Sequence, residues 1–316
     1  MIFGRNYDWV TDAGMVCTNL KGLSKTSMKT ENAKTISWVS QFGSITFNQY
    51  GKELPTGGMN EKGLVVELMW LDETIYPSAD NRPAIGVLQW IQYQLDNCST
   101  VDEVIATDKK LRISPTGITP LHYLVADANG NAATVEFLNG RMVVHKGSSL
   151  SLPVLTNSTY DQSVKSYKNS STSGDNSLER FGKACSMIQQ LNTGNNKKPL
   201  IDYAFDILDE VAQGDFTKWS IVYDITNKTI QFKTNRFKQV KMLSFTAFDF
   251  NCTATAKVWD MNQAGHGNIN GLFENFTAAI NRKIVETAAK ESETHVAISQ
   301  ANREKLWQYS SAIKCQ

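Results

Sequence analysis

The chain has 316 residues, 41% of them hydrophobic and 20% charged, with 32 basic against 31 acidic side chains and a net charge of +1. That is ordinary globular composition, long enough for one large domain with a substantial core. The near-neutral balance advertises no nucleic-acid or polyanion partner, and no apolar run reaches the ~18 residues a membrane span needs.

The opening stretch MIFGRNYDW (Met1–Trp9) reads as a short apolar strand that ends beside two charges three apart, Arg5 and Asp8. Lys34–Asn48 alternates and is rich in Ile, Trp, Val and Phe, which predicts two strands around Gly43. Thr56–Trp70 reads as a glycine turn, a second turn at Asn60–Gly63 and a continuous apolar strand. Pro83–Cys98 and Ser99–Leu111 have helical spacing, the second with Ser99 or Thr100 as cap and acidic residues in its first turn. Leu121–Gly147 predicts three strands, with turns at Asn129-Gly130 and Asn139-Gly140. Leu152–Ser163 reads as a short strand running into polar residues, and Tyr167–Ser177 as a loop. Leu178–Leu191 and Leu200–Gln213 are amphipathic helices, Lys218–Thr234 is a hairpin about Thr226-Asn227, and the tail from Asn270 is mostly helical. Hairpins dominate and no βαβ repeat is visible. The expected class is α+β, with helices layered outside stacked antiparallel sheets and no linker dividing the chain.

Cys17, Cys98, Cys185, Cys252 and Cys315 are scattered and never in C-x-x-C spacing, so neither a disulfide framework nor a zinc site is expected. The four histidines form no metal pattern. His122 and His145 read as structural residues of the hairpins, and Cys98, Cys185 and Cys252 as buried small hydrophobes.

Four segments occur in an order and spacing that resemble the choloylglycine hydrolase / penicillin V acylase family: FGRNYDW, GMNEKGL (Gly58–Leu64), LHYLVADANGNAATVEF and LTNSTY (Leu155–Tyr160). ERF at Glu179–Phe181 and the KWSIVYD strand add to it, and the resemblance runs from Met1 to about Thr234. It implies an N-terminal nucleophile hydrolase: a four-layer αββα sandwich that cuts linear carbon–nitrogen amides of small N-acyl substrates without a cofactor. Residues 1–316 would form one such domain, with a helical tail over approximately 270–316. Homotetramers occur in several members. The nucleophile is a cysteine at the mature N-terminus whose own α-amino group takes the proton.

Carried onto this chain, the resemblance makes Arg5 the cation beside the thiol and Asp8 the holder of the α-amino group. Asn157 becomes the side-chain oxyanion donor and the Trp70 backbone N–H the second donor. A further family arginine has no evident counterpart, and Lys218 in FTKW (Phe216–Trp219) could supply a cation there, without the bidentate fork. The nucleophile is expected roughly a dozen residues before Arg5, a spacing taken from the resemblance, where this sequence has none; Cys17 lies on the wrong side. A start codon placed too late, with Met1 internal to the first strand, is the favoured explanation, and real loss of catalysis the rival. No signal peptide is visible. The location is periplasmic or secreted if one lies upstream, and cytoplasmic otherwise.

Plainer readings stand beside these. Arg5 and Asp8 make sense as a structural ion pair, Asn157 as a glycosylation acceptor or turn former, and Trp70 as core. A binding protein that keeps the pocket without a thiol, and an unrelated α+β enzyme, are the competing functions.

Overall fold

A computed structural model of the chain describes residues 1–30, 33–114, 119–170, 174–192 and 197–316. The first part runs through β1 (Ile2–Asp8), β2 (Met15–Asn19), β3 (Leu23–Thr26), β4 (Ser37–Val39), β5 (Ser44–Asn48), β6 (Pro55–Asn60) and β7 (Val65–Trp70). Then come β8 (Ala84–Ile85), α1 (Val87–Asn97), α2 (Val101–Ala106), β9 (Arg112–Ile113), β10 (Leu121–Ala126), β11 (Ala132–Leu138) and β12 (Arg141–Lys146). Three helices follow, α3 (Tyr160–Lys168), α4 (Asn176–Asn192) and α5 (Leu200–Glu210). The chain continues with β13 (Thr217–Asp224), β14 (Thr229–Thr234), β15 (Lys241–Ser244), β16 (Lys257–Asp260), β17 (Gly267–Asn268) and β18 (Glu274–Asn275). It finishes with α6 (Ala278–Glu291), α7 (Gln300–Gln308) and β19 (Lys314–Cys315).

Two large sheets organise these elements. One has the order β1-β13-β14-β15-β17, and the other β12-β11-β10-β7-β6-β5-β2-β16-β18. Neighbouring strands are antiparallel except β15 with β17. Strand alternation sorts each strand's side chains between two faces. Phe3, Trp219, Ile221 and Phe232 of the smaller sheet meet Val16, Ile45, Phe47 and Met59 of the larger one in the main core. The opposite face of the larger sheet, with Val66, Tyr123 and Val135, packs on Trp90, Ile91 and Val104 of α1 and α2. The outer face of the smaller sheet, at Val222, packs on Phe205 and Leu208 of α5. Helix, sheet, sheet, helix is the four-layer αββα order that the sequence leads one to expect.

Local chemistry explains several boundaries. Thr100 caps α2 and accepts from the Glu103 N–H, and the Glu103 carboxylate accepts from the Thr100 N–H in return, a complete capping box. Asn60 is a buried staple. Its amide donates to the carbonyls of Leu95 and Cys98 and accepts from the N–H groups of Lys62 and Leu64, which ties the turn before β7 to the end of α1.

The two strands expected around Gly43 are present as β4 and β5, which do not pair with each other: β4 pairs with β3, and β5 with β2 and β6. The structure departs from the sequence reading in three places. Leu152–Ser163 forms no strand; it is irregular until Thr159 caps α3. Pro153 offers no N–H, and Val154 and Leu155 pack against Phe181 and Ala184 of α4 rather than joining a ladder. The expected loop 167–177 overlaps α3 and α4, and its residues 171–173 lie outside the described ones. Finally, Cys252 and Cys315 are joined in a disulfide with Cα atoms 5.3 Å apart, which the scattered spacing did not suggest.

Candidate active site

β1 is the terminal strand of the smaller sheet and, among the described residues, pairs only with β13. Every residue from Met1 to Trp9 borders a cavity of about 1020 Å³, so the strand's unpaired edge runs along its wall. The end of β7 (Glu67–Trp70), the segment Pro153–Asn157, apolar side chains of α4 and α5, and residues between His295 and Leu306 are among the other lining residues.

Arg5 is only 6% exposed. Its Nη1 lies 2.7 Å from Glu67 Oε2, its Nη2 donates to the Leu68 carbonyl at 3.2 Å, and its guanidinium stands 4.7 Å from the centre of the Tyr7 ring. Glu67 is fully buried and also accepts from the Tyr223 hydroxyl. Burial pushes the Glu67 carboxyl up to about 7, against the opposing pull of Arg5 and of the Tyr223 hydrogen bond. Asp8 is held at both oxygens, by the Thr217 hydroxyl at 2.5 Å and by Gln213 Nε2 at 2.7 Å.

Asn157 is fixed in orientation by its partners. Its Nδ2 donates to the Trp70 carbonyl at 2.9 Å, and its Oδ1 accepts from Arg180 Nη2 at 2.7 Å. A guanidinium only donates and a carbonyl only accepts, so the amide cannot flip. The Asn157 N–H is tied to the Ser177 hydroxyl at 2.9 Å. Upstream, His122 bridges the Thr156 carbonyl and Glu136, which itself accepts from the N–H of Tyr160. Both ends of the short segment carrying Asn157 are therefore anchored to β10 and β11. Trp70 contributes its carbonyl to Asn157, donates its indole N–H to Asp72 at 2.6 Å, and stacks on Trp9.

Of the five residues singled out from the sequence, Arg5, Asp8, Trp70 and Asn157 line this one cavity, although Arg5 and Asn157 are 152 positions apart in the chain. Lys218 is not brought there. Tyr7 pairs with Trp219 and Asp8 with Thr217, so Lys218 is the extra residue of a β-bulge, and its ammonium donates to the Asp215 carbonyl at 2.6 Å. Two cations of the cavity wall that sequence reasoning did not single out are Arg180, inside the ERF segment, and Lys305. Glu67 was missed as well; a single acid within the apolar run VVELMW was its signal. Asn60, as read from the sequence, shapes the turn before β7.

Cys17, Cys98 and Cys185 are free and buried, none lines the cavity, and burial pushes all three thiols up to about 12. A thiol reagent is accordingly expected to titrate no group in the native protein and three after unfolding without reductant. Reaction of a native thiol would contradict these burials. Among the described residues no cluster of three or more His, Cys, Asp or Glu could hold a metal ion, and no helix is long and apolar enough to cross a membrane.

The layered sheets define the class as an αββα sandwich with a cavity along β1, and the comparisons give it a family. Residues 1–189 match the family described as linear amide C-N hydrolases, choloylglycine hydrolase family, and the chain belongs to it. A penicillin V acylase from Pectobacterium atrosepticum is 31% identical over 181 residues, which cover 52% of this chain and 47% of that protein. The matched part is thus about half the length of that curated relative. The structure of penicillin V acylase from Agrobacterium tumefaciens superposes with a TM-score of 0.76 at 24% identity, covering 87% of this chain and 94% of that one. A variant of the conjugated bile acid hydrolase of Clostridium perfringens gives 0.70 at 18% identity, covering 83% and 94%. At these identities the two structures speak for the fold.

Proposed function

We propose that this chain carries the substrate cavity and supporting residues of a penicillin V acylase-like hydrolase of linear amides, acting on a small N-acyl amide with a bulky apolar acyl group. The observation that carries the reading is the meeting of Arg5, Asp8, Asn157 and Trp70 on a mainly apolar cavity. Asn157 Nδ2, with one hydrogen directed to Trp70, has a second for the carbonyl oxygen of the substrate, where negative charge develops. Arg5 supplies a fixed cation beside the nucleophile, and Asp8 a fixed carboxylate for its α-amino group. Arg180, rather than Lys218, serves as the second cation.

The nucleophile in this reading is a thiol on a strand laid along the open edge of β1. The thiolate attacks the amide carbon after its proton passes to the α-amino group. The C–N bond breaks and the amine leaves with that proton. Water then cleaves the thioester, releasing the acyl half as a carboxylic acid and restoring the thiol.

The test compares the 316-residue chain with a version extended at its N-terminus by a β-strand that begins with cysteine. The chain itself should bind penicillin V without turnover; the extended version should release phenoxyacetate, and its Cys→Ser form should not. Binding by the extended version with no turnover would overturn the catalytic reading. It would leave a ligand-binding protein on the same fold.

A further inference from the structure

Arg5 and Asn157 grip the same strand. Arg5 Nη2 donates to the Leu68 carbonyl and Asn157 Nδ2 to the Trp70 carbonyl, two residues further along β7 and roughly 7 Å away. Arg5 Nε meets no hydrogen-bond acceptor among the described residues. What the wall presents to the cavity here depends on one more group. Glu67 Oε2 lies 2.7 Å from Arg5 Nη1, and Glu67 is fully buried at the border of the cavity. An arginine keeps its charge at any ordinary pH, so the carboxyl alone decides the net charge of the pair. Tyr7 of β1 and Tyr223 of β13 are the other titratable groups set against it, and burial holds both phenols well above their usual range, so they stay neutral. Gly57 and Leu124, opposite Glu67 on β6 and β10, carry no charge. Burial pushes the Glu67 carboxyl up to about 7 against the pull of Arg5, so both of its forms are populated near neutral pH.

Resting on the reading of the cavity above, we infer that Glu67 is a positioning residue acting through Arg5, and that its proton sets the charge of the cavity wall beside the reacting carbonyl. With the proton in place, Arg5 is an unbalanced cation and attracts an anion there. Without it, carboxylate and guanidinium cancel. A cation in a wall sheltered from water acts strongly on a neighbouring charge, and a counter-ion at contact distance removes most of that action. Two anions arise at this place in the reaction: the oxyanion formed when the thiolate adds to the carbonyl, and the carboxylate of the released acyl half. Protonated Glu67 favours the first and retains the second, and ionised Glu67 lets the acid product go. The proton exchanges with solvent through the cavity that Glu67 borders.

The acid product and its neutral amide separate this task from any structural one. Phenoxyacetate is ionised throughout pH 6–8, and phenoxyacetamide keeps the same acyl group without the charge. Both would be titrated into the 316-residue chain, into Glu67→Gln and into His295→Gln, which removes a histidine that also lines the cavity. Calorimetry at pH 6, 7 and 8 in two buffers of different ionisation enthalpy gives the affinity and the protons taken up, and melting curves confirm folding. The unsubstituted chain should bind phenoxyacetate roughly ten-fold tighter at pH 6 than at pH 8 and take up about half a proton at pH 7, as expected when only the protonated form is competent. The amide should bind alike at all three pH values and take up none. Glu67→Gln should bind the acid at pH 8 as tightly as the unsubstituted chain does at pH 6, without uptake, and His295→Gln should keep the pH dependence. Absent or pH-independent binding of the acid to the unsubstituted chain, uptake that survives Glu67→Gln, or uptake lost in His295→Gln would each overturn the inference, while binding of the amide upholds the acyl cavity. Failure of both ligands to bind the unsubstituted chain would overturn both readings.

Discussion

Gly57→Ala is expected to remove on the order of 3–5 kcal/mol of stability, the scale seen when a buried ion pair is disrupted. A Cβ at residue 57 would stand 1.8 Å from Glu67 Oε2 and 2.1 Å from its Cδ. Glu67 cannot step aside, because Arg5 and Tyr223 hold its carboxylate between the two sheets. The methyl group must either push the carboxylate off Arg5 or part β6 from β7, and in a close-packed interior both are expensive. At a few degrees per kcal/mol, the melting temperature should fall by roughly 6–15 °C. The double variant Gly57→Ala/Glu67→Ala should be no less stable than Glu67→Ala alone, since the space the methyl group needs is then vacant. A Gly57→Ala protein within about 0.5 kcal/mol of the parent would show that the carboxylate is not held there.

The second large effect is a dependence of stability on pH that belongs to Glu67. Its carboxyl is pushed up to about 7 in the fold, from an ordinary value of 4.5. The folded state therefore holds this proton more tightly than the unfolded chain does. The resulting stabilisation is complete below about pH 4.5, shrinks as the pH rises towards 7, and is gone above it. At 1.36 kcal/mol per pH unit across that interval it amounts to on the order of 3 kcal/mol. Arg5 and Tyr7 from β1 and Tyr223 from β13 are the titratable groups set against Glu67, while β6 and β10 present Gly57 and Leu124 there. Glu67→Gln carries no such proton. Denaturant unfolding of both proteins from pH 5 to pH 8 should show the parent losing stability relative to the variant by about that amount. Parallel curves would mean that Glu67 stays ionised throughout.

The pattern of the chain made much of this architecture legible, because the relevant signals are local. The alternation of Leu121–Lys146, the Thr100 and Glu103 capping pair and the spacing in Leu200–Glu210 each depend on neighbours a few residues away. Partnership is a different matter. Residues 37–39 and 44–48 read correctly as strands, but nothing within them tells that they join different sheets. The cavity shows the same division. Arg5 and Asn157 were visible through the segments that contain them, whereas Lys218 is absent from the cavity wall, where a bulge opposite Tyr7 and Asp8 leaves its ammonium on the Asp215 carbonyl. A one-residue shift of register is decided by both strands together and leaves no mark in either. The Cys252–Cys315 bridge, across 63 positions, is likewise a product of tertiary approach.

The arrangement of the cavity wall bears on how the protein is made. Residues 1–9 and residues between His295 and Leu306 line the same space, and β1 finds its partner in β13, more than 200 positions later. On a ribosome, β1 must wait for β13 while more than 200 residues are synthesised, and the cavity wall is complete only after α7 has emerged. At 5–20 residues per second that wait for β13 is on the order of ten to forty seconds, during which an apolar strand is without its partner. Synonymous codons that slow the stretch between β1 and β13 should therefore lower soluble yield, while a holdase chaperone that shelters β1 should raise it.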